Sequence, residues 1–493
     1  MRAIESRGPA DPLGLAAAPE NAPRSLHLDF ALLRKIFFGL GAVVVLMAPF
    51  ARDPLITAAC GALPFALVSI LDRTRMPSIV LFYLMFMWLE IAARVVLTYI
   101  DEEALGDGFY GPDVCPAAWY AMASLIVLAT VFRLHLGRAP ASTGHQFDDH
   151  LRWSPRSVFQ VYLLTVGLAF ALAPLARLSP GLAQPLQALA SVKWVAIFAL
   201  FATVLSVHKG LILLMVVVLI EIVVGFTGLF SEFKQVLIVV LLSALSVRIT
   251  LRISTVVGIA AAVSLLLGLG VFWTAVKVEY RGLATEYSDN QVISASLDDR
   301  TGLLLEKALN PAEIEWGAAV ERMIRRVAYI DFFGAVIGMV RTSEEEENFP
   351  RWRDTLEHVS KPRLLFPDKD VLDDTEVYLR YVRDEVGDER RPGTSISIGY
   401  LAENFIDFGF PLMLAPIALM GLLLSCSIRY FMTRPVPWVI REGFVTALIL
   451  MLGTSMGTSL PKFLGVTIMA TVVLGLCLKF FYPFVERWLD RQR

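Results

Sequence analysis

The sequence predicts an all-α, polytopic integral membrane protein of about 12 transmembrane helices, with one large periplasmic loop that carries amphipathic helices. Three observations predict it. Hydrophobic residues make up 56% of the 493 and charged residues 18%, and the mean hydropathy is +0.62, a balance outside the range of soluble domains. Apolar runs long enough to cross the roughly 30 Å of a hydrocarbon core follow one another along most of the chain. Between Lys277 and Ser395 a polar stretch of about 120 residues interrupts them, too charged to sit in lipid and too long for an ordinary connection.

Residues 1–35 hold Pro9, Pro12, Pro19 and Pro23 with scattered charge and no apolar signal-peptide core, which predicts a disordered cytoplasmic tail. Spans are expected near 36–51, 55–71, 78–100, 114–132, 157–176, 183–207, 210–230, 233–250 and 253–276. Three more lie near 396–428, 439–460 and 463–484. The resulting organisation is an N-terminal bundle over 36–276 of about nine spans, the loop at 277–395, a C-terminal bundle over 396–484 of about three spans, and a tail at 485–493.

Positive charge in short connections marks the cytoplasmic side. Arg34 and Lys35, Arg73 and Arg75, the 133–156 segment, Lys209, Arg248 and Arg252, Arg429 and Arg434, and Arg487 and Arg491 fall on alternate connections. Opposite them lie acidic or sparse segments, most clearly Asp101, Glu102, Glu103, Asp107 and Asp113. Both termini are therefore expected in the cytoplasm and the large loop outside, in a bacterial inner membrane. No inverted repeat is visible between the halves, which weighs against a transporter. A net charge of −2 argues against a nucleic-acid partner. Of the four cysteines, Cys60, Cys426 and Cys477 lie in apolar runs and Cys115 near the start of one; they read as packing residues, with neither a disulfide framework nor a CxxC pair.

Within the loop, Pro311 to Arg341 has helical apolar spacing through Ile314, Val320, Ile324, Val327 and Ile330 and is expected to lie on the membrane surface. Arg322, Arg325, Arg326 and Tyr329 share one face, either a stripe for anionic headgroups or a pyrophosphate clamp, since guanidinium forks match phosphate oxygens bidentately. Glu344 to Glu347 reads as a solvated turn rather than a metal site. Pro362 and Pro367 bracket Arg363 and hold it outside a helix. Glu403 and Asp407 stand one helical turn apart where the loop enters the next span. In the spans, Glu90 and Arg94 have the spacing of an internal ion pair, and Lys193 and Glu221 are partners across helices or liners of a cavity.

The run Pro362-Arg363-Leu-Leu-Phe-Pro-Asp-Lys369, the basic helix before it, and Ser395-Ile-Ser-Ile-Gly399 leading to Glu403, Phe408 and Gly409 resemble the Wzy-type polysaccharide polymerases, which extend O-antigen and other oligosaccharide repeat units. Gly225-Phe-Thr-Gly-Leu-Phe-Ser-Glu-Phe-Lys234 is also similar to a segment of such proteins. The resemblance implies a glycosyltransferase that joins undecaprenyl-diphosphate-linked oligosaccharides, in a membrane shared with a flippase and a chain-length regulator. It implies catalytic Glu403 and Arg363, and substrate-binding Arg322, Arg325, Arg326 and Lys234. A lipid diphosphate is already a good leaving group, so arginines and one base suffice, and neither metal nor cofactor is expected. His358, Asp374 and Glu376 are the other base candidates. An O-antigen-ligase-like transferase, a polyprenyl-phosphate-sugar glycosyltransferase using the acidic Asp101 to Asp113 connection, and a polysaccharide or lipid transporter remain open.

Overall fold

The computed structural model describes residues 30–492 except 72–75, 109, 138–152, 228–232, 248, 250–252, 287–293, 344–349, 364, 367, 370–372 and 383–395. Glu344 to Glu347, Pro367 and Ser395 thus lie outside the described residues. Among those described, every regular element is helical. The first group is α1 (Phe30–Met47), α2 (Pro54–Leu71), α3 (Ser78–Ile100), α4 (Val114–Leu136), α5 (Pro155–Leu178), α6 (Ala183–Ala190), α7 (Val192–Val207), α8 (Leu211–Thr227), α9 (Phe233–Val247) and α10 (Ile253–Ala284). Next come α11 (Leu297–Leu309), α12 (Trp316–Val327), α13 (Ile330–Thr342), α14 (Pro350–Ser360) and α15 (Asp374–Tyr381). The chain closes with α16 (Gly399–Phe408), α17 (Leu414–Met432), α18 (Trp438–Leu452), α19 (Leu460–Leu476) and α20 (Tyr482–Arg491).

Nine helices among the described residues are long and apolar enough to cross a membrane, and Leu211–Phe226 and Phe233–Val247 are shorter apolar helices. The chain is a multi-pass membrane protein. A helix that is apolar all round belongs at the centre of a bundle. Accordingly α7 is buried without a break from Trp194 to Val204, α18 is buried from Val439 to Leu450, and α3 packs beside α18. α5 and α10 lie at the edge, where little of either is covered.

The helices between α10 and α16 pack against the bundle instead of standing apart from it. α12 lies on α3 and α10, α13 on α4 and α3, and α14 on α19 and α16. Arg341 of α13 pairs with Asp113 beside the start of α4. The helix expected over Pro311–Arg341 is therefore two, broken at Ala328 and Tyr329. α13 is no surface helix, because Ile330, Phe333, Val336 and Ile337 are fully enclosed. The break lets α12 keep a solvated face while α13 turns inward.

Three further expectations are corrected. The span at 396–428 is two helices, because Gly409, at a φ of 61°, ends α16 in a conformation that disfavours side chains, and Pro411 follows without an N–H to continue it. α10 runs on to Ala284, past the expected boundary at 276. Glu90 and Arg94 do not pair. Arg94 Nε lies 2.8 Å from Asp331 Oδ1 on α13 instead, with both side chains buried. Lys193 and Glu221 do meet across α7 and α8 at 2.9 Å, and the Tyr162 hydroxyl of α5 donates to Glu221 at 3.1 Å.

Removing one partner of a buried ion pair strands the other charge, which costs about 3 kcal/mol or more, whereas removing both together costs much less. Asp331→Asn should therefore lower the thermal stability of the detergent-purified protein clearly, and Arg94→Met combined with Asp331→Leu should recover most of the loss. Thermal unfolding checks this. Additive losses in the double variant would contradict the pairing.

Candidate functional site

The centre of the site is a loop, Gly453-Thr-Ser-Met-Gly-Thr-Ser459, between α18 and α19. α18 has only 15 residues and covers about 22 Å at 1.5 Å per residue, short of the roughly 30 Å of a hydrocarbon core. The loop is packed among the helices, with Met456 and Ser459 buried, and buried irregular backbone needs hydrogen-bond partners. Two buried carboxylates supply them. Glu90 Oε2 on α3 accepts from the Met456 amide at 2.8 Å, and Glu403 Oε2 on α16 accepts from the Leu460 amide at the start of α19. Each side chain is only 3% exposed.

Short polar side chains complete the loop. The Ser455 hydroxyl bonds to Glu90 and accepts from the Gly457 amide at 2.9 Å, while the Tyr400 amide donates to the Thr458 carbonyl at 2.8 Å. Tyr329 locks α16 in place: its hydroxyl donates to the Ile398 carbonyl at 2.7 Å and accepts from the Ala402 amide at 3.4 Å. Gly399 has a φ of 81°, and a Cβ there would strike the Met456 carbonyl oxygen and lie 2.6 Å from the Tyr329 hydroxyl. Only glycine fits.

On the Glu90 flank, cations converge. Lys234, at the head of α9, interacts electrostatically with both Glu90 and Arg326, and Arg326 of α12 interacts with Arg281 of α10. Lys234 and Arg326 are open to solvent, yet protein surrounds them, and that enclosure lowers the pKa of the Arg326 guanidinium. Among the described residues neither makes an ion pair. Arg325 does, with Glu321 one turn away at 2.9 Å, both half-exposed. Of the arginines expected to form one face, the structure brings Arg326 to Lys234, keeps Arg325 at the surface, and leaves Arg322 exposed.

On the Glu403 flank the strongest positive influence is Arg351, with Asp374 and Asp407 opposing it. α16 lies outside the candidate spans, and burial there pushes the Glu403 carboxyl up to about 8 against the pull of the Leu460 amide and Arg351. Asp407 begins α14 by accepting from the Arg351 amide at 3.1 Å and the Trp352 amide at 2.7 Å, the contact expected of a carboxylate at a helix N-terminus. Asn404 accepts from the Trp352 indole at 2.9 Å. Asp374 pairs with Lys462 of α19. Arg363 donates to the Lys369 carbonyl at 3.1 Å, and Lys369 Nζ donates to the Lys361 carbonyl at 2.9 Å. Glu376 lies in the first turn of α15.

Glu90, Arg281, Arg351 and the loop itself were not legible as a site. The signal for the loop was present: six of the seven residues from Gly453 to Ser459 are Gly, Ser or Thr, a breaker cluster inside an apolar run. Among the described residues no cluster of His, Cys, Asp and Glu is arranged to hold a metal ion. No family model, curated protein or solved structure matches this chain.

His358 of α14 adds a pH dependence. Burial, Lys369 and Arg363 lower its pKa from 6.5 to about 4. Above pH 6.5 the residue is neutral whether folded or unfolded; as the pH falls from 6.5 towards 4 the unfolded chain takes up the proton first, so stability is lost across that window. Thermal unfolding of wild type should fall more steeply there than that of His358→Gln. Parallel curves would contradict the assignment.

Proposed function

We propose that this chain is a glycan polymerase of the bacterial inner membrane that joins oligosaccharide units carried on undecaprenyl diphosphate. In this reading α8, α9 and α18 also cross the membrane, both termini are cytoplasmic, and residues 277–395 face the periplasm, in keeping with the alternating basic connections. One observation carries the reading: Lys234 of α9 and Arg326 of α12 repel each other from two helices, with Glu90 of α3 beside Lys234. Like charges held together raise the energy of the fold, and a bound polyanion offsets that cost. A diphosphate is such an anion, and an enclosed cleft strengthens its attraction.

The chemistry needs little more. A hydroxyl oxygen of the acceptor glycan attacks the anomeric carbon of the donor sugar as the bond from that carbon to the diphosphate oxygen breaks. The cations stabilise the charge gathering on the leaving diphosphate, and a carboxylate takes the hydroxyl proton. Glu90 is the carboxylate coupled to Lys234, so we assign it this role in preference to Glu403, whose carboxylate caps α19.

The test is a gel of glycans extracted from cells that carry single variants at wild-type protein levels. Lys234→Gln and Arg326→Lys should abolish long polymer and leave single lipid-linked units, because lysine keeps the charge but lacks the bidentate fork. Arg325→Lys should polymerise normally. Normal chain length in both Lys234→Gln and Arg326→Lys would overturn the function, and loss in Glu403→Gln with none in Glu90→Gln would reverse the assignment of the base.

A further inference from the structure

α19 passes through a π turn (Cys477–Phe481) into α20, and Leu460–Arg491 forms one helical run of 32 residues. At 1.5 Å per residue that run is roughly 48 Å long against the roughly 30 Å of a hydrocarbon core, so its last turns extend beyond the hydrocarbon. The side chains change in step. Ile468, Val472, Leu476 and Phe480 recur every four residues along one face and are 44%, 54%, 48% and 52% exposed; Phe481 and Phe484, beyond them, are exposed too. Lys479 Nζ lies 5.1 Å from the centre of the Phe480 ring, and the Arg487 guanidinium 4.8 Å from that of Phe484. Cations beside exposed aromatic rings suit the boundary between hydrocarbon and headgroups.

α20 sorts its charge. Tyr482 and Leu489 are buried, Val485 and Trp488 pack on the core, and both acids are engaged by the protein: Glu486 accepts from the Tyr482 hydroxyl at 3.1 Å and Asp490 from the Trp153 indole at 3.4 Å. Lys479, Arg487 and Arg491 are exposed. A further cation comes from the end of α17. α17 packs on α18 and α18 on α19 through short connections, so α17 and α19 run in the same direction. These two meet where the Tyr430 hydroxyl stands 3.0 Å from the position a Cβ would take at Gly475. Lys479 follows Gly475 by one turn, and the Arg434 guanidinium, just past α17, lies 3.9 Å from the centre of the Tyr430 ring. Two exposed cations thus flank one seam, and among the described residues neither makes an ion pair.

We propose that this seam between α17 and α19 docks an anionic glycerophospholipid. Its phosphate sits between Arg434 and Lys479, and its acyl chains run back along Phe480, Leu476, Val472 and Ile468 into the hydrocarbon. A zwitterionic lipid brings an ammonium to the same two cations, so a net negative headgroup is preferred, each basic residue near it adding several-fold. The inference goes beyond the polymerase reading and does not lean on it, because none of these side chains takes part in the chemistry proposed above.

The experiment replaces Phe481 with the photoreactive p-benzoylphenylalanine in the full-length protein, reconstituted in vesicles of about 10% dioleoyl phosphatidylglycerol in dioleoyl phosphatidylcholine. Lipid adducts formed on irradiation are identified by mass spectrometry. Phosphatidylglycerol should appear in them about fivefold above its share of the vesicle, as two cations near a headgroup would produce. A control carrying the same group at Leu164 of α5, which is 71% exposed, should report the bulk ratio. Arg434→Gln together with Lys479→Gln, both at exposed positions, should return the Phe481 adducts to the bulk ratio. Arg353→Gln, which removes a cation of α14 whose side chain is 70% exposed, should leave the enrichment unchanged. Adducts at the bulk ratio from Phe481, the same enrichment at Leu164, or an enrichment that the double variant leaves in place would overturn the site.

Discussion

A backbone amide inside a membrane bundle must find a partner, and at Met456 and Leu460 the partner is a buried carboxylate. The rest of the site depends on this constraint. Without Glu90 and Glu403 the loop from Gly453 to Ser459 would leave donors unsatisfied, each costing about 1–3 kcal/mol. With them, α18 can end at Leu452 and the chain can turn into α19 with its buried amides satisfied. The same two residues fix neighbouring helices, since Glu90 ties α3 to the loop and Glu403 ties α16 to α19.

The two flanks of the loop differ in charge. Beside Glu90, Lys234 and Arg326 are open to solvent and, among the described residues, make no ion pair. Beside Glu403, Arg351, Asp374, Lys462 and Asp407 largely answer one another through helix-start contacts and the Asp374 to Lys462 pair. The second arrangement mostly holds α14, α15 and α19 together. A pair of buried glutamates with similar backbone contacts thus sits in two environments suited to different work.

The membrane class and the places of the helices were legible because hydrophobic runs register directly in composition. Helix breaks were less so: Gly409 and Pro411 were visible, yet the surrounding residues are apolar enough to read as one span. The break at Tyr329 has no sequence signal, since Tyr329 is drawn from the helix by hydrogen bonds to Ile398 and Ala402, some seventy residues away. Arg326 was singled out by its helical spacing and Lys234 by the resemblance alone. Their link to Glu90 was not legible, because i,i+4 spacing made Arg94 the nearer partner, and only the fold supplies Asp331 to Arg94 in its place.

Glu90 is what holds the loop, within which Thr454 stays half-exposed. This hold is tested most directly by labelling Thr454→Cys, in a chain whose four native cysteines are replaced by alanine, with a charged thiol reagent added to the detergent-purified protein. Measurable but slow labelling is expected, quickening when Glu90→Ala releases the Met456 amide. No labelling by the charged reagent, or the same rate with and without Glu90, would contradict it.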